Sequence, residues 1–171
     1  MSWLGRLFGD RAPESLTGLL DGEEHVLAAA EVDGGGHLAV TALGLWVPGP
    51  RRIGWHLLAK VAWGEGTMTV TEAEESGRAG AAVLLTDLPP VRFGVRSPGK
   101  LPQLVRARVD GSIRVRHRQE LPGGGGAWFV LRKVPGRDGA VLQARPDRGT
   151  DPGLVAEIAV DVAERMATAQ D

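Results

Sequence analysis

Short runs in which apolar and polar residues alternate cover most of the chain and predict β-strands. Residues 26–32 alternate before three consecutive glycines, Gly34, Gly35 and Gly36, and residues 37–41 alternate after them. Alternation with period two on both sides of an Asp-Gly break is typical of a β-hairpin. A phosphate-binding glycine loop would instead lead into a helix and would carry a lysine and a hydroxyl residue. We therefore expect a bend between two strands here, not a nucleotide site.

Alternation or short apolar runs predict further strands along the chain. They are expected at 45–47, 53–63, 67–71, 82–85, 91–95, 113–118, 128–134 and 141–144, with a polar loop at 72–80. At 53–63 the apolar content alone would also fit a helix, and the glycines on either side favour a strand. Most of the predicted strands are short, and turns rich in glycine and proline separate them. That arrangement is typical of an antiparallel sandwich or a partly open barrel.

Two segments have the apolar spacing of helices. The first covers 100–109 and is expected to end at the Asp-Gly pair that follows it. The second begins at Asp151, a residue type that caps helices, and Pro152, which fits a first turn. Its apolar stripe consists of Leu154, Val155, Ile158, Val162 and Met166. This stripe predicts a helix that packs on a sheet or on the end of a barrel.

Composition limits the class of protein. The chain has 171 residues, 43% of them hydrophobic and 24% charged, which is enough for one ordinary domain with its own core. It has no cysteine, which excludes disulfides, thiolate metal sites and a cysteine nucleophile. The formal net charge of −1 gives no global attraction to nucleic acid or membrane. Lysines are few and arginines many, as in proteins of GC-rich bacteria, and we expect a cytoplasmic location because no signal peptide is recognisable.

One stretch resembles the start of bacterial pleckstrin-homology-like (PH/GRAM-like) domains. The matching residues are Gly22, Glu23, Thr41, Leu45, Trp55, Leu58 and Val61. The region that follows residue 50 and the C-terminal segment also look like a group of actinobacterial proteins. The resemblance implies two packed sheets capped by a helix, and it implies no ligand. Eukaryotic relatives often bind phosphoinositides through basic residues in the first hairpin loop, where this chain has Asp33 and glycines.

The expected fold class is α+β and mainly antiparallel. It combines a PH-like split barrel or sandwich with a capping helix, a C-terminal β-meander and an amphipathic helix. We expect an N-terminal amphipathic segment at 1–20 and a PH-like β domain with a short helix at 21–110. The meander and final helix are expected at 111–171, packed on the same domain.

A row of arginines is the first candidate for partner binding. Arg114, Arg116 and Arg118 should project from one face of a strand, and Arg106 and Arg108 precede them in the sequence. Guanidinium groups spaced in this way can hold acidic side chains or phosphates. The alternative is a solvated sheet face, with arginine stems covering apolar surface. No aromatic residue lies between these arginines, so stacking on nucleic-acid bases is not expected.

The N-terminal segment is the second candidate. Trp3, Leu4, Leu7 and Phe8 would share one face of a helix, with arginines beside them. Such a face could dock on protein, lie at a membrane surface as a weak anchor, or belong to a frayed tail.

Signatures of catalysis are missing from the sequence. The four histidines have no metal-binding spacing, and no serine stands in a nucleophile-elbow frame. We therefore expect no enzyme, no cofactor and no metal. The sequence favours a non-catalytic intracellular interaction module that binds a protein partner, through the arginines or an exposed sheet edge. A peripheral membrane protein is the alternative, followed by a small-ligand binder or an enzyme of unknown class, and nucleic acid is an unlikely partner.

Overall fold

The structure, a computed structural model, describes residues 12–169. Contacts divide the chain into two compact units. Of the described residues, unit one combines 12–72 with 89–111, and unit two combines 73–88 with 112–169. The strands are mainly antiparallel and occur with two helices in the described part of the chain, so the α+β class expected from the alternation is confirmed. The predicted boundary between a PH-like domain at 21–110 and a C-terminal part at 111–171 stays a prediction.

Unit one begins with a four-stranded antiparallel meander. Its strands, in spatial and sequence order, are β1 (Ala28–Glu31), β2 (His37–Val40), β3 (Gly44–Val47) and β4 (Arg51–Gly54). The hairpin predicted from the glycine triplet is confirmed, because Ala30 pairs with Leu38 across it. All three glycines have positive φ angles, with Gly35 at 113°, a backbone conformation that a side chain disfavours.

Three further strands of unit one form antiparallel pairs. The first part of β6 (Thr67–Ala79) lies between β5 (Leu58–Gly64) and β8 (Val91–Gly94). The single strand predicted at 53–63 is wrong, since a 3-10 turn at Trp55–Leu57 separates β4 from β5. The Trp55 indole is buried in that turn and donates a hydrogen bond to the Thr41 carbonyl at 2.9 Å, which fixes the break.

The polar loop predicted at 72–80 is also wrong, because β6 continues to Ala79 and pairs with β7 (Ala82–Asp87). Ala73 and Ala79 are buried in this stretch while the glutamates between them are exposed. The exposed polar side chains of this strand give the same sequence pattern as a polar loop.

Helix α1 (Leu101–Ser112) closes the core of unit one. Leu101 and Val105 are fully buried against residues of both strand groups, among them Leu45 and Met68. The helix is therefore confirmed, but its predicted end at the Asp-Gly pair is wrong, because the helix includes both residues and strand β9 begins directly after it.

Unit two contains the predicted C-terminal meander and helix. Strands β9 (Ile113–Glu120), β10 (Gly126–Lys133) and β11 (Ala140–Pro146) pair antiparallel in sequence order, and β11 also pairs with β7 in parallel. Helix α2 (Pro152–Ala169) covers one face of these strands. Its predicted stripe is confirmed, since Val155 and Ala159 are fully buried in the core of unit two and the rest of the stripe packs against it.

Candidate functional site: the arginine–tryptophan face

The arginines of β9 lie at the edge of the unit-two sheet. Arg116 and Arg118 alternate along this strand, as period two predicts, whereas a β-bulge leaves Arg114 without a register partner on β10. Strand β9 is hydrogen-bonded to β10 on one side only. Arg114 and Arg116 are exposed, and Arg118 is partly buried. The edge strand therefore carries cationic side chains along one face.

Arg118 is held in place by two carboxylates. Its Nη1 donates to Oδ1 of Asp147 at 2.6 Å, its Nη2 donates to the other oxygen of the same carboxylate, and its Nε donates to Glu120 at 3.0 Å. The hydrogen bonds from Arg118 lower the pKa of Asp147, and those same bonds raise the pKa of Arg118. Arg118 is therefore a fixed part of the surface rather than a free cation.

Trp128 lies on the same face, directly across from Arg118 in the register of β10. The guanidinium carbons of Arg116 and Arg118 both lie 5.6 Å from the centre of its ring, a distance at which cation–π attraction operates. The expectation that no aromatic residue accompanies the arginines holds along the sequence but not in space. The signal that could have found Trp128 is the β9–β10 hairpin, whose register places it beside them.

A fourth arginine lies beneath this surface. Arg132, four residues after Trp128 on β10, is only 3% exposed, and its Nε donates to the Ser112 hydroxyl at 2.8 Å. Its Nη2 is buried and has no hydrogen-bond partner among residues 12–169. Burial, followed by the charges of Arg145 and Arg116, lowers the pKa of Arg132 to about 10, so that the group still carries its positive charge at neutral pH.

Arg145, paired with Trp128 in the register of β11, completes the set. We define the arginine–tryptophan face as Arg114, Arg116, Arg118, Trp128, Arg132 and Arg145. Its positive charge is only partly neutralised. Arg145 forms an ion pair with Asp87 at 3.3 Å, and Arg118 pairs with its two acids. Within the described residues, by contrast, neither Arg114 nor Arg116 forms an ion pair.

The remaining arginines of the predicted row belong to helix α1. Arg106 and Arg108 are exposed on helix α1 and belong to unit one, whereas β9 belongs to unit two. Residues two apart on an α-helix point in directions roughly 200° apart. The helix therefore does not present Arg106 and Arg108 on one side.

A groove of about 800 Å³ runs beside β1 in unit one. Its lining includes Glu31, Asp33, His37, Arg96 and Ser97. Asp33 lies 3.6 Å from Arg96, and His37 Nδ1 lies 3.5 Å from Ser15 Oγ, the outer limit of a hydrogen bond. In the part of the chain that the structure describes, no hydrogen bond joins His37 to Ser97.

A buried carboxylate in unit one is fully satisfied by its neighbours. Glu24 Oε2 accepts from the Thr41 hydroxyl at 2.5 Å and the Trp46 indole at 3.1 Å. Its Oε1 accepts from Arg52 at 2.8 Å and from the Asp21 backbone amide at 3.1 Å. With two donors on each oxygen, this cluster is a structural anchor and leaves no position for a ligand.

The N-terminal candidate residues, Trp3, Leu4, Leu7 and Phe8, lie outside the described residues, so their docking or membrane role stays a prediction. Among residues 12–169, no helix has the length and apolar content to cross a bilayer. Those residues also contain no group of three histidine or acidic side chains arranged to hold a metal ion. Comparisons of the chain with protein-family models, curated proteins and solved structures found no match.

Proposed function

We propose that this protein is a non-catalytic interaction module whose arginine–tryptophan face binds an acidic segment of a protein partner. One observation carries the proposal: Arg114 and Arg116 are exposed and form no ion pair among the described residues, and the Arg116 guanidinium lies 5.6 Å from the Trp128 ring. A surface with unneutralised guanidinium groups attracts carboxylates, and the planar fork of arginine binds them through two hydrogen bonds.

A protein partner is favoured over nucleic acid for two reasons. The exposed arginines span only a few residues of one strand, which is short for a phosphate backbone, and the formal net charge of the chain is −1. Trp128 is partly buried, and its ring is within cation–π distance of two arginines, so it offers little free surface for stacking on a base.

We further propose that unit one is a PH-like domain. The order of its elements supports this proposal: a four-stranded meander, three more antiparallel strands, and a helix that fills the core with Leu101 and Val105. The first hairpin loop is Asp33 and glycines, which favours a protein-binding role over phosphoinositide binding.

The test measures the binding of a fluorescent polyglutamate peptide to the full chain at low salt. We expect the double variant R114E/R116E to bind about tenfold more weakly or worse, because two attractive charges become repulsive. The matched control is R137E/R148E, which changes the net charge equally at exposed positions of unit two outside the face.

If both double variants lose the same affinity for the peptide, only net charge matters and the proposal is overturned. Duplex DNA and anionic vesicles serve as competing ligands in the same assay. Tighter binding of either one through Arg114 and Arg116 would replace the acidic protein segment with a different partner. Vesicle binding that disappears when the chain starts at Ala12 would instead support the membrane alternative.

A further inference from the structure

We propose that the acidic partner binds as an added β-strand along the free edge of β9, with acidic and apolar residues in alternation. This inference rests on the proposed function and deepens it, since it assigns the backbone conformation and residue pattern of the partner. Strand addition gives affinity through backbone hydrogen bonds and specificity through alternate side chains.

The first observation is the open edge itself. Strand β9 is the last strand of its sheet, and four consecutive residues, 114–117, are exposed. The outer backbone groups of an edge strand are unpaired and form a template for another strand.

The charges on the edge determine which strand fits. A second copy of β9 paired antiparallel would bring the arginine rows of the two copies together, and like charges across a strand pair are destabilising. The arginines therefore discourage self-pairing, while the same side chains attract a strand with carboxylates at the facing positions.

The spacing matches on the charged face. Alternate residues of an extended strand are roughly 6.6 Å apart, both in β9 and in any strand that pairs with it. One glutamate of the partner can therefore lie opposite Arg116, and a second can lie near Arg114, next to the β-bulge that interrupts the register of β9 with β10. Arg118 has its own carboxylates and limits the free row to these two arginines.

The opposite face of β9 supplies the apolar half of the pattern. Val115 is 51% exposed and pairs in register with Leu131, which packs against the core of unit two. An apolar residue between two glutamates of the partner would cover Val115 and extend that core. The partner segment is thus acidic–apolar–acidic in sequence.

The experiment compares peptides of identical composition against the full chain. One peptide alternates glutamate and valine, and the other has its glutamates consecutive. We expect the alternating peptide to bind about tenfold more tightly, since only it places carboxylates and valines on opposite faces.

Backbone methylation separates strand addition from simple charge attraction. Methylating the alternating peptide at its odd amides or at its even amides blocks hydrogen bonds on one edge of the peptide at a time. A docked strand loses binding with one set and keeps it with the other. If both sets bind as well as the unmodified peptide, strand addition is wrong while the proposed function stands. If neither the alternating peptide nor the polyglutamate peptide binds the unmodified chain, the proposed function itself fails.

A variant of the protein checks the apolar contact. Val115→Thr keeps the β-branched shape and should weaken binding of the alternating peptide about threefold or more, but should leave polyglutamate binding unchanged. The matched control is Val91→Thr, at a valine of unit one that is 50% exposed. The same loss in both variants would remove Val115 from the interface and overturn the proposed pattern.

Discussion

At the scale of single residues, Glu24 is the most informative group in unit one. Its side chain is fully buried, and four donors surround its carboxylate. Glu24→Gln removes the charge and replaces one carboxylate oxygen with an NH2 group, which faces donors and cannot accept their hydrogen bonds. We expect the free energy of unfolding to fall by about 3 kcal/mol, because the buried donors that face the amide nitrogen lose their acceptor. Urea denaturation measures this loss.

The pH dependence of stability follows from the same group. Burial alone would raise the pKa of Glu24, but hydrogen bonds from Thr41, Asp21 and Trp46 and the charge of Arg52 lower it below its ordinary value of 4.5. Its contribution to stability is therefore complete above about pH 4.5 and is lost as the pH falls further. In Glu24→Gln the free energy of unfolding should therefore fall less steeply as the pH drops below about 4.5. A variant whose stability falls with acid as steeply as the wild type would contradict the assignment.

Single residues also show where sequence reasoning ends. Alternation predicts that Arg114, Arg116 and Arg118 share one face, because a regular strand fixes the direction of its own side chains. The register is regular at Arg116 and Arg118, and a β-bulge interrupts it at Arg114. It could not place Trp128 beside them, since cross-strand neighbours depend on the register of a partner strand. Nor could it find buried Arg132, because an arginine in a strand is ordinarily taken as solvated.

At the scale of elements, predictions were correct where local backbone chemistry decides the structure. The glycine triplet fixed the first hairpin, and the cap and apolar stripe fixed α2. Predictions were wrong at 53–63, where a tertiary hydrogen bond from Trp55 breaks the strand, and at 72–80, where pairing with β7 overrides a polar sequence. In both places a contact outside the segment itself determines the outcome.

The start of α2 offers a test at this scale. The Asp151 carboxylate accepts a hydrogen bond from the Gly153 amide at 2.9 Å, as an N-cap should. Asp151→Ala should lower the free energy of unfolding by about 1 kcal/mol, since one helical amide loses its partner. Asp151→Ser restores an acceptor and should recover most of the loss. Thermal unfolding of the three proteins measures the difference, and equal stabilities would show that the cap contributes nothing.

At the scale of the whole molecule, unit two is discontinuous in sequence. Residues 73–88 supply β7, which pairs with β11, and they also supply Ala79 and Ala82 to the core beneath α2. A fragment of residues 112–169 lacks these contributions. We expect it to show no cooperative unfolding transition, whereas a fragment of residues 73–169 retains every strand of that core. Cooperative melting of the shorter fragment would mean that β7 is dispensable.

This discontinuity also has a consequence for biosynthesis. The β6–β7 hairpin leaves the ribosome before β11, the strand with which β7 must pair. At about 5–20 residues per second, the wait between residues 88 and 146 lasts roughly 3–12 s. During that interval Ala82 and Leu84, which pack in the core of unit two in the finished protein, lack β10, β11 and α2 to cover them. The nascent chain is most vulnerable to aggregation in those seconds, and a chaperone that holds this hairpin would act then.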